Sequence, residues 1–145
     1  MNNQVQIYLA GKYTSQERLR GARADLQALG YNVVASWLDE TATDANASAE
    51  TMLANARRDI EEVKAADTLI LDTLDESATG GREVELGVAL ATDMPVALPL
   101  HHITTTISLV GPKRNIFHRC AHFQYADWDE CLAAAAEEQR VLGII

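Results

Sequence analysis

Cysteine is scarce in this chain. Two residues in 145, Cys120 and Cys131, show no framework spacing, which excludes a disulfide scaffold and predicts reduced thiols in a cytoplasmic protein. Basic runs and basic stripes are missing as well, and 12 Lys and Arg face 21 Asp and Glu for a formal net charge of -9. Nucleic acid polymers and anionic membranes are therefore excluded as partners. A small anionic ligand is not, because a local helix N-terminus can outweigh the global charge. The opening Met1-Asn2-Asn3-Gln4 lacks a basic region and a long apolar run, so neither a signal peptide nor a membrane span is expected. No G-x-G-x-x-G follows the first strand-like segment, and no G-x-x-x-x-G-K-[ST] occurs, which removes the nicotinamide and P-loop readings. His118, Cys120 and His122 alternate as if on one face of a strand, but chance or core packing accounts for that spacing better than a metal does. No cofactor and no metal are expected. With no repeat, low-complexity tract or linker, residues 1–145 read as one domain, large enough to bury a core without disulfides.

Strand-like and helix-like patterns alternate along the chain. Val5 to Ala10 reads as a first strand ending at Gly11. Thr14 with Glu17 gives a capping box, after which Leu19, Ala22, Leu26 and Leu29 recur at helical spacing until Gly30. Tyr31 to Trp37 reads as a second strand, Leu38 to Ala47 as a polar loop without period. A helix is predicted from Ser48 to Ala66 with Met52, Ala56, Ile60 and Val63 on its inner face. Asp67 to Thr73 is a third strand, Gly81 to Thr92 a helix and Pro95 to Leu100 a fourth strand. Ile107 to Val110 and His122 to Tyr125 are short strands, and Asp127 with Glu130 caps a last helix through Val141. Such alternation argues for an α/β fold with a parallel sheet covered on both faces.

Two carboxylates sit where solvation is poor. Glu85 lies near the start of the helix opened by Gly80-Gly81, among Val84, Leu86, Val88, Ala89 and Leu90. In an open α/β sheet, ligands bind outside the carboxyl ends of the strands, at the start of such helices. The bland alternative is an acidic residue favoured by the helix dipole, the reading that suits Glu83. Asp59 lies seven residues after Met52, three after Ala56 and four before Val63, which puts it on the apolar face. Its bland alternative is a boundary charge that reaches water or pairs with Arg57 or Arg58. Two misplaced carboxylates in one small domain are the usual equipment for glycosidic cleavage, one as nucleophile and one as acid. Trp37 and Tyr13 are candidates to stack on a base, and Arg82 to meet a phosphate. Arg18 and Arg20 read as a solvated helix face.

Ile7-Tyr8-Leu9-Ala10-Gly11, Asp59 followed eight positions later by Asp67, and Val84-Glu85-Leu86-Gly87-Val88-Ala89 before Pro95-Val96 resemble the nucleoside 2-deoxyribosyltransferase family. That family includes the 2'-deoxynucleoside 5'-monophosphate N-glycosidases. The resemblance covers residues 5 to 100. It implies a flavodoxin-like, Rossmann-like three-layer fold and a homodimer or higher homo-oligomer. It also implies cleavage of an N-glycosidic bond with the sugar held on a glutamate, here Glu85, assisted by Asp59. Tyr8 and Gly11 match the segment lining the sugar and base pocket, and Gly81 belongs to the nucleophile's motif. Six residues before the nucleophile the family places Asp for a free 5'-hydroxyl or Ser for a 5'-phosphate, and this chain has Thr79. Residues 101–108 look like an insertion. Gly111 to His118 falls where family members present residues to a neighbouring subunit's site, which makes Asn115 and His118 candidates there.

The expected substrate is a 2'-deoxynucleoside or its 5'-monophosphate, cleaved through a covalent deoxyribosyl-glutamate with transfer to another base. Water as acceptor would make the enzyme an N-glycoside hydrolase. The reading from another class is a non-catalytic nucleotide-binding module, and two desolvation-prone carboxylates count against it.

Overall fold

A computed structural model describes residues 4–41, 47–76, 80–92 and 106–145. Five strands, β1 (Gln6–Ala10), β2 (Asn32–Val33), β3 (Thr68–Asp72), β4 (Thr106–Val110) and β5 (Phe123–Tyr125), form one sheet in the order β2-β1-β3-β4-β5. Every pairing is parallel. Four α-helices, α1 (Gln16–Ala28), α2 (Ala49–Ala65), α3 (Gly81–Thr92) and α4 (Trp128–Val141), cover the two faces. The strand order is the flavodoxin-like one, whose direction of winding reverses between β1 and β3 and opens a crevice there.

Alternation along the strands assigns the faces. Ile7, Thr68 and Ile70 line a small cavity with Leu26 of α1 and Cys131 of α4. The intervening Tyr8, Leu69 and Leu71 therefore point to the other face, where α2 and α3 pack together. The centre of the sheet is apolar on both sides, as a doubly covered parallel sheet requires.

Asp72 ends β3 on the α1 and α4 side at 1% exposure. Arg18 Nε and Nη2 donate to it at 3.0 and 3.1 Å, Trp128 Nε1 at 2.8 Å and the Leu74 amide at 2.9 Å. One buried carboxylate thus joins β3, α1, α4 and the loop after β3, with its charge neutralised and its lone pairs filled. Arg18 also meets Asp75 at 2.8 Å, so the solvated-face reading of this arginine is corrected.

Several boundaries differ from the sequence expectation for local reasons. The second strand stops at Val33 because the chain turns into a 3-10 helix, Ser36–Asp39, that buries Trp37 and Leu38. Trp37 Nε1 is captured there by the Leu9 carbonyl at 2.7 Å. The Thr14 capping box does not form. Residues Tyr13–Ser15 make a 3-10 turn and the N-cap is Ser15, whose hydroxyl donates to Asp75 at 2.7 Å. Ile116–Cys120 is a 3-10 helix, so His118, Cys120 and His122 do not share a strand face. Within α2, Val63 is buried while Met52 and Leu53 are 50% and 51% exposed, so its apolar face outruns the core at the N-terminal end. The Asp127 cap holds, accepting from the Glu130 amide at 2.9 Å. The strand expected at Pro95 to Leu100 lies outside the described residues.

Replacing Asp72 by alanine orphans the Trp128 indole and strips Arg18 of its buried partner. The expected cost is roughly 3 kcal/mol of unfolding free energy, read as a lower urea midpoint at unchanged slope. A loss below about 0.5 kcal/mol, the level of an ordinary surface substitution, would remove Asp72 from the role of tie point.

Candidate active site

Tyr8 of β1, Asp59 of α2 and Glu85 of α3 come together on one face of the sheet. Glu85 as a residue is only partly covered, but its Oε2 is sealed and accepts no well-formed hydrogen bond among the described residues. Burial raises its pKa to about 8. The nearby Tyr8 hydroxyl opposes that rise, and the charges of Asp59, Glu40 and Glu62 add to it. Tyr8 is fully buried, and its hydroxyl is held neutral by burial first and then by the Glu85 charge. The two groups are near enough to perturb each other, yet Tyr8 Oη, like Glu85 Oε2, completes no well-formed hydrogen bond among the described residues. Buried polar atoms are usually satisfied, which singles out this pair as the candidate site.

Asp59 is half-buried, and that burial pushes its carboxyl above the usual range. Arg58 works in the opposite direction, while Glu40 and Glu62 reinforce the rise. Arg58 donates to Asp59 Oδ1 from Nε at 3.2 Å and from Nη2 at 2.9 Å, and Nη2 also reaches Glu40 Oε1 at 2.6 Å. The boundary-charge reading of Asp59 is therefore met in one respect, its pairing with Arg58. Glu62, one turn further along α2, accepts from the Ser36 amide at 3.0 Å and the Ser36 hydroxyl at 2.5 Å. These bonds fasten α2 to the 3-10 turn after β2. The sequence reading assigned nothing to Glu40 or Glu62, although Asp59 and Glu62 are three apart on one helix face, a spacing that could have drawn attention.

The remaining candidates separate into groups. Tyr13 donates to the Thr41 carbonyl at 2.9 Å, bridging the loops after β1 and β2. Trp37, 6% exposed, is in the core with its indole N–H engaged. A Cβ at Gly11 would meet Leu19 Cδ1 at 2.6 Å, so this position lets α1 approach the end of β1. Gly81 is the exposed first residue of α3. Thr79 lies outside the described residues.

Arg82, Asn115 and His118 gather on the other side of the first turn of α3. Arg82 is buried and donates to the carbonyls of Asp72 at 3.1 Å and Asp75 at 2.7 Å, shaping the loop after β3. His118 has no solvent exposure. Its Nδ1 accepts from the Arg114 amide at 2.9 Å, which leaves the proton on Nε2 to donate to Glu83 at 3.0 Å. Burial would raise Glu83, but hydrogen bonds from His118 and Asn115 outweigh it and hold the carboxylate below its ordinary range. Asn115 Oδ1 caps the 3-10 helix by accepting from the Phe117 and His118 amides at 2.9 and 3.1 Å. Gly111 enters this loop at φ +122°, where a Cβ would stand 2.6 Å from Thr73 Oγ1 and 2.8 Å from the Leu74 nitrogen. Only glycine fits so close to the end of β3.

The family model described as Nucleoside 2-deoxyribosyltransferase matches residues 7–132. The chain belongs to this family. Membership supports nucleoside deoxyribosyl-transfer chemistry in general terms, and the candidate site lies where an open α/β sheet of this kind places its ligands. The 2-deoxyribosyltransferase of the psychrotolerant bacterium Bacillus psychrosaccharolyticus superposes with a TM-score of 0.68 at 20% identity, over 90% of this chain and 96% of that one. A conserved protein from Enterococcus faecalis V583 gives 0.62 at 16%, over 93% and 99%. The CMP N-glycosidase of Clostridium botulinum gives 0.56 at 17%, over 89% and 96%. At these identities the likeness establishes a shared fold. No curated protein sequence matches the chain. No helix among the described residues is long and apolar enough to cross a membrane.

The raised Glu85 pKa carries a stability consequence. Between the ordinary carboxylate value of 4.5 and about 8 the folded chain holds a proton that the unfolded chain has lost. Stability therefore falls as pH rises through that window. Glu85→Gln removes the penalty, so its melting temperature is expected to exceed the wild type's at pH 8 and to converge with it near pH 4.5. Parallel melting curves at both pH values would show that Glu85 is not desolvated.

Proposed function

We propose that this chain cleaves the N-glycosidic bond of 2'-deoxynucleosides or their 5'-monophosphates and transfers the sugar to another base, with Glu85 as nucleophile and Asp59 as acid. The observation that carries this reading is the Glu85 carboxyl, withheld from water and lacking a partner at Oε2. A glutamate kept only for stability would be paired or solvated.

The chemistry follows from the arrangement. The Glu85 carboxylate attacks C1' as the bond to the base nitrogen breaks, and that electron pair leaves with the base. Asp59 gives the departing base a proton. The sugar stays as an ester on Glu85, which a 2'-deoxyribosyl centre favours because no electron-withdrawing 2'-hydroxyl opposes its cationic character. A second base then attacks C1', its proton passes to Asp59, and Glu85 departs as a carboxylate. Water in the place of the second base gives hydrolysis. Like charges and burial disfavour two ionised carboxyls at once. The free site keeps its proton on Glu85, so passage of that proton to Asp59 as substrate binds gives one ionised nucleophile beside one protonated acid.

The proposed active unit is a homo-oligomer joined through the loop that carries Asn115 and His118. Ile116 and Phe117 on that loop are 73% and 58% exposed, an apolar pair beside polar donors, as interfaces combine them. His118 has both nitrogens committed within its own chain, and Asn115 is engaged with Glu83 and with the Phe117 and His118 amides, so both hold the loop in shape while Ile116 and Phe117 are the groups offered to a partner.

Incubation with a deoxynucleoside and a free acceptor base is expected to yield a new nucleoside. Glu85→Ala should lose several orders of magnitude in rate, and a slow substrate should leave a deoxyribosyl mass adduct on the Glu85 peptide. Near-wild-type turnover in that variant eliminates the covalent route, and tight binding without turnover favours a binding module. Asp59→Asn should slow substrates with poor leaving bases far more than activated ones. Equal losses would make Asp59 a sugar-positioning group.

Sedimentation should find an oligomer that Phe117→Asp converts to an inactive monomer. A fully active monomer would sink the shared-site idea.

A further inference from the structure

The stripe Thr51, Asn55, Arg58 and Glu62 on α2 recurs at helical spacing and faces the turn Ser36–Asp39 and Glu40. A cavity of about 220 Å³ lies between them, lined by Ser36, Asp39, Glu40, Thr51, Asn55 and Arg58. Arg58 sits at its wall and holds two carboxylates by one oxygen each, Glu40 by Oε1 and Asp59 by Oδ1. Glu40 Oε2 and Asp59 Oδ2 accept no hydrogen bond among the described residues, nor does the half-buried Asn55 amide form one. The charges of Glu40 and Asp59 both act on the Glu85 carboxyl, which puts that group near the pair that Arg58 holds.

We propose that this cavity receives the Watson–Crick edge of the nucleobase and that Glu40 selects bases bearing an exocyclic amine, the 4-aminopyrimidines and 6-aminopurines, over their oxo counterparts. The inference rests on the reaction proposed above and adds the class of base. Arg58 fixes both carboxylates side by side, so the free Glu40 oxygen offers an acceptor next to the Asp59 carboxyl. An amino group donates to that oxygen while the adjacent ring nitrogen, an acceptor in these bases, takes the Asp59 proton. An oxo base presents a carbonyl oxygen to Glu40 and an N–H to Asp59, which sets two acceptors face to face and gives the acid nothing to protonate at that position. The surplus of carboxylates around one arginine acts in the same direction, because it favours a base that gains positive character as it leaves. Discrimination by a buried hydrogen-bonding group against a mismatched edge is large, unlike discrimination by size in an apolar pocket.

The test compares deoxycytidine with deoxyuridine, and their 5'-monophosphates, for the wild type and Glu40→Gln. The glutamine keeps the carbonyl that Arg58 binds and turns an N–H toward the base. The wild type is expected to favour the amino substrate by at least about 100-fold in kcat/KM, and Glu40→Gln to bring the ratio near unity or invert it with an unchanged melting temperature. Equal use of both substrates by the wild type, or equal losses on both in the variant, would overturn the assignment. Calorimetric titration of free cytosine and free uracil separates this idea from the reaction itself. Cytosine binding that Glu40→Gln weakens supports the subsite even if no substrate is turned over, and indifference to the base overturns it even if the enzyme is active.

Discussion

Desolvation of the Glu85 carboxyl governs the arrangement around it. The group sits in the first turns of α3, where the helix dipole favours negative charge, yet burial and three neighbouring carboxylates push its proton affinity upward. The neighbours come from three elements: Asp59 and Glu62 from α2, Glu40 from the turn after β2, and Tyr8 from β1. Only the pairing of β1 with β3, flanked by α2 and α3, brings those elements to one point. Gathering like charges in this way costs stability, and carboxylates perturbed as Glu85 is are characteristic of functional sites.

The opposite face of the same sheet shows how a carboxylate is treated when stability is the purpose. Asp72 is also deeply buried, but Arg18, Trp128 and the Leu74 amide satisfy it. Arg82 and Arg114 serve the same end by filling backbone carbonyls: those of Asp72 and Asp75 for Arg82, and those of Thr73 and Leu74, at 2.7 and 3.1 Å, for Arg114. Basic side chains that a sequence reader offers to a phosphate are thereby spent on holding the loop after β3. Two carboxylates separated by one sheet thus differ in how fully their lone pairs are filled.

The alternation of strands and helices was readable because each buried strand is a short apolar run and each helix repeats its apolar residues at three and four. The inward placement of Glu85 and Asp59 was readable for the same reason. Where short-range chemistry competes with tertiary contact, the sequence misled. Thr14 with Glu17 has the spacing of a capping box, yet Ser15 becomes the N-cap and spends its hydroxyl on Asp75, sixty residues away. Tyr31 to Trp37 has the composition of a strand, but the capture of the Trp37 indole by the Leu9 carbonyl bends the chain after Val33. The pairing of Asp59 with Arg58 was among the expected alternatives, but neither the second bond of Arg58, to Glu40, nor the union of Glu83 with His118 could be seen in advance. Both join residues far apart in sequence through charges that could equally have faced water.

The exposed part of α2 ties the remaining observations together. Its C-terminal half buries Val63 and carries Asp59 and Glu62 inward, while its first two turns hold Met52 and Leu53 half in solvent. Helical periodicity makes both halves look alike, so the difference lies in what the fold provides to cover them. The sheet reaches only the C-terminal half. The apolar stripe of α2 thus continues beyond its cover among the described residues, on the same helix that carries the proposed acid. Its fastening by Glu62 to Ser36 and by Arg58 to Glu40 transmits any shift of the helix to the turn after β2.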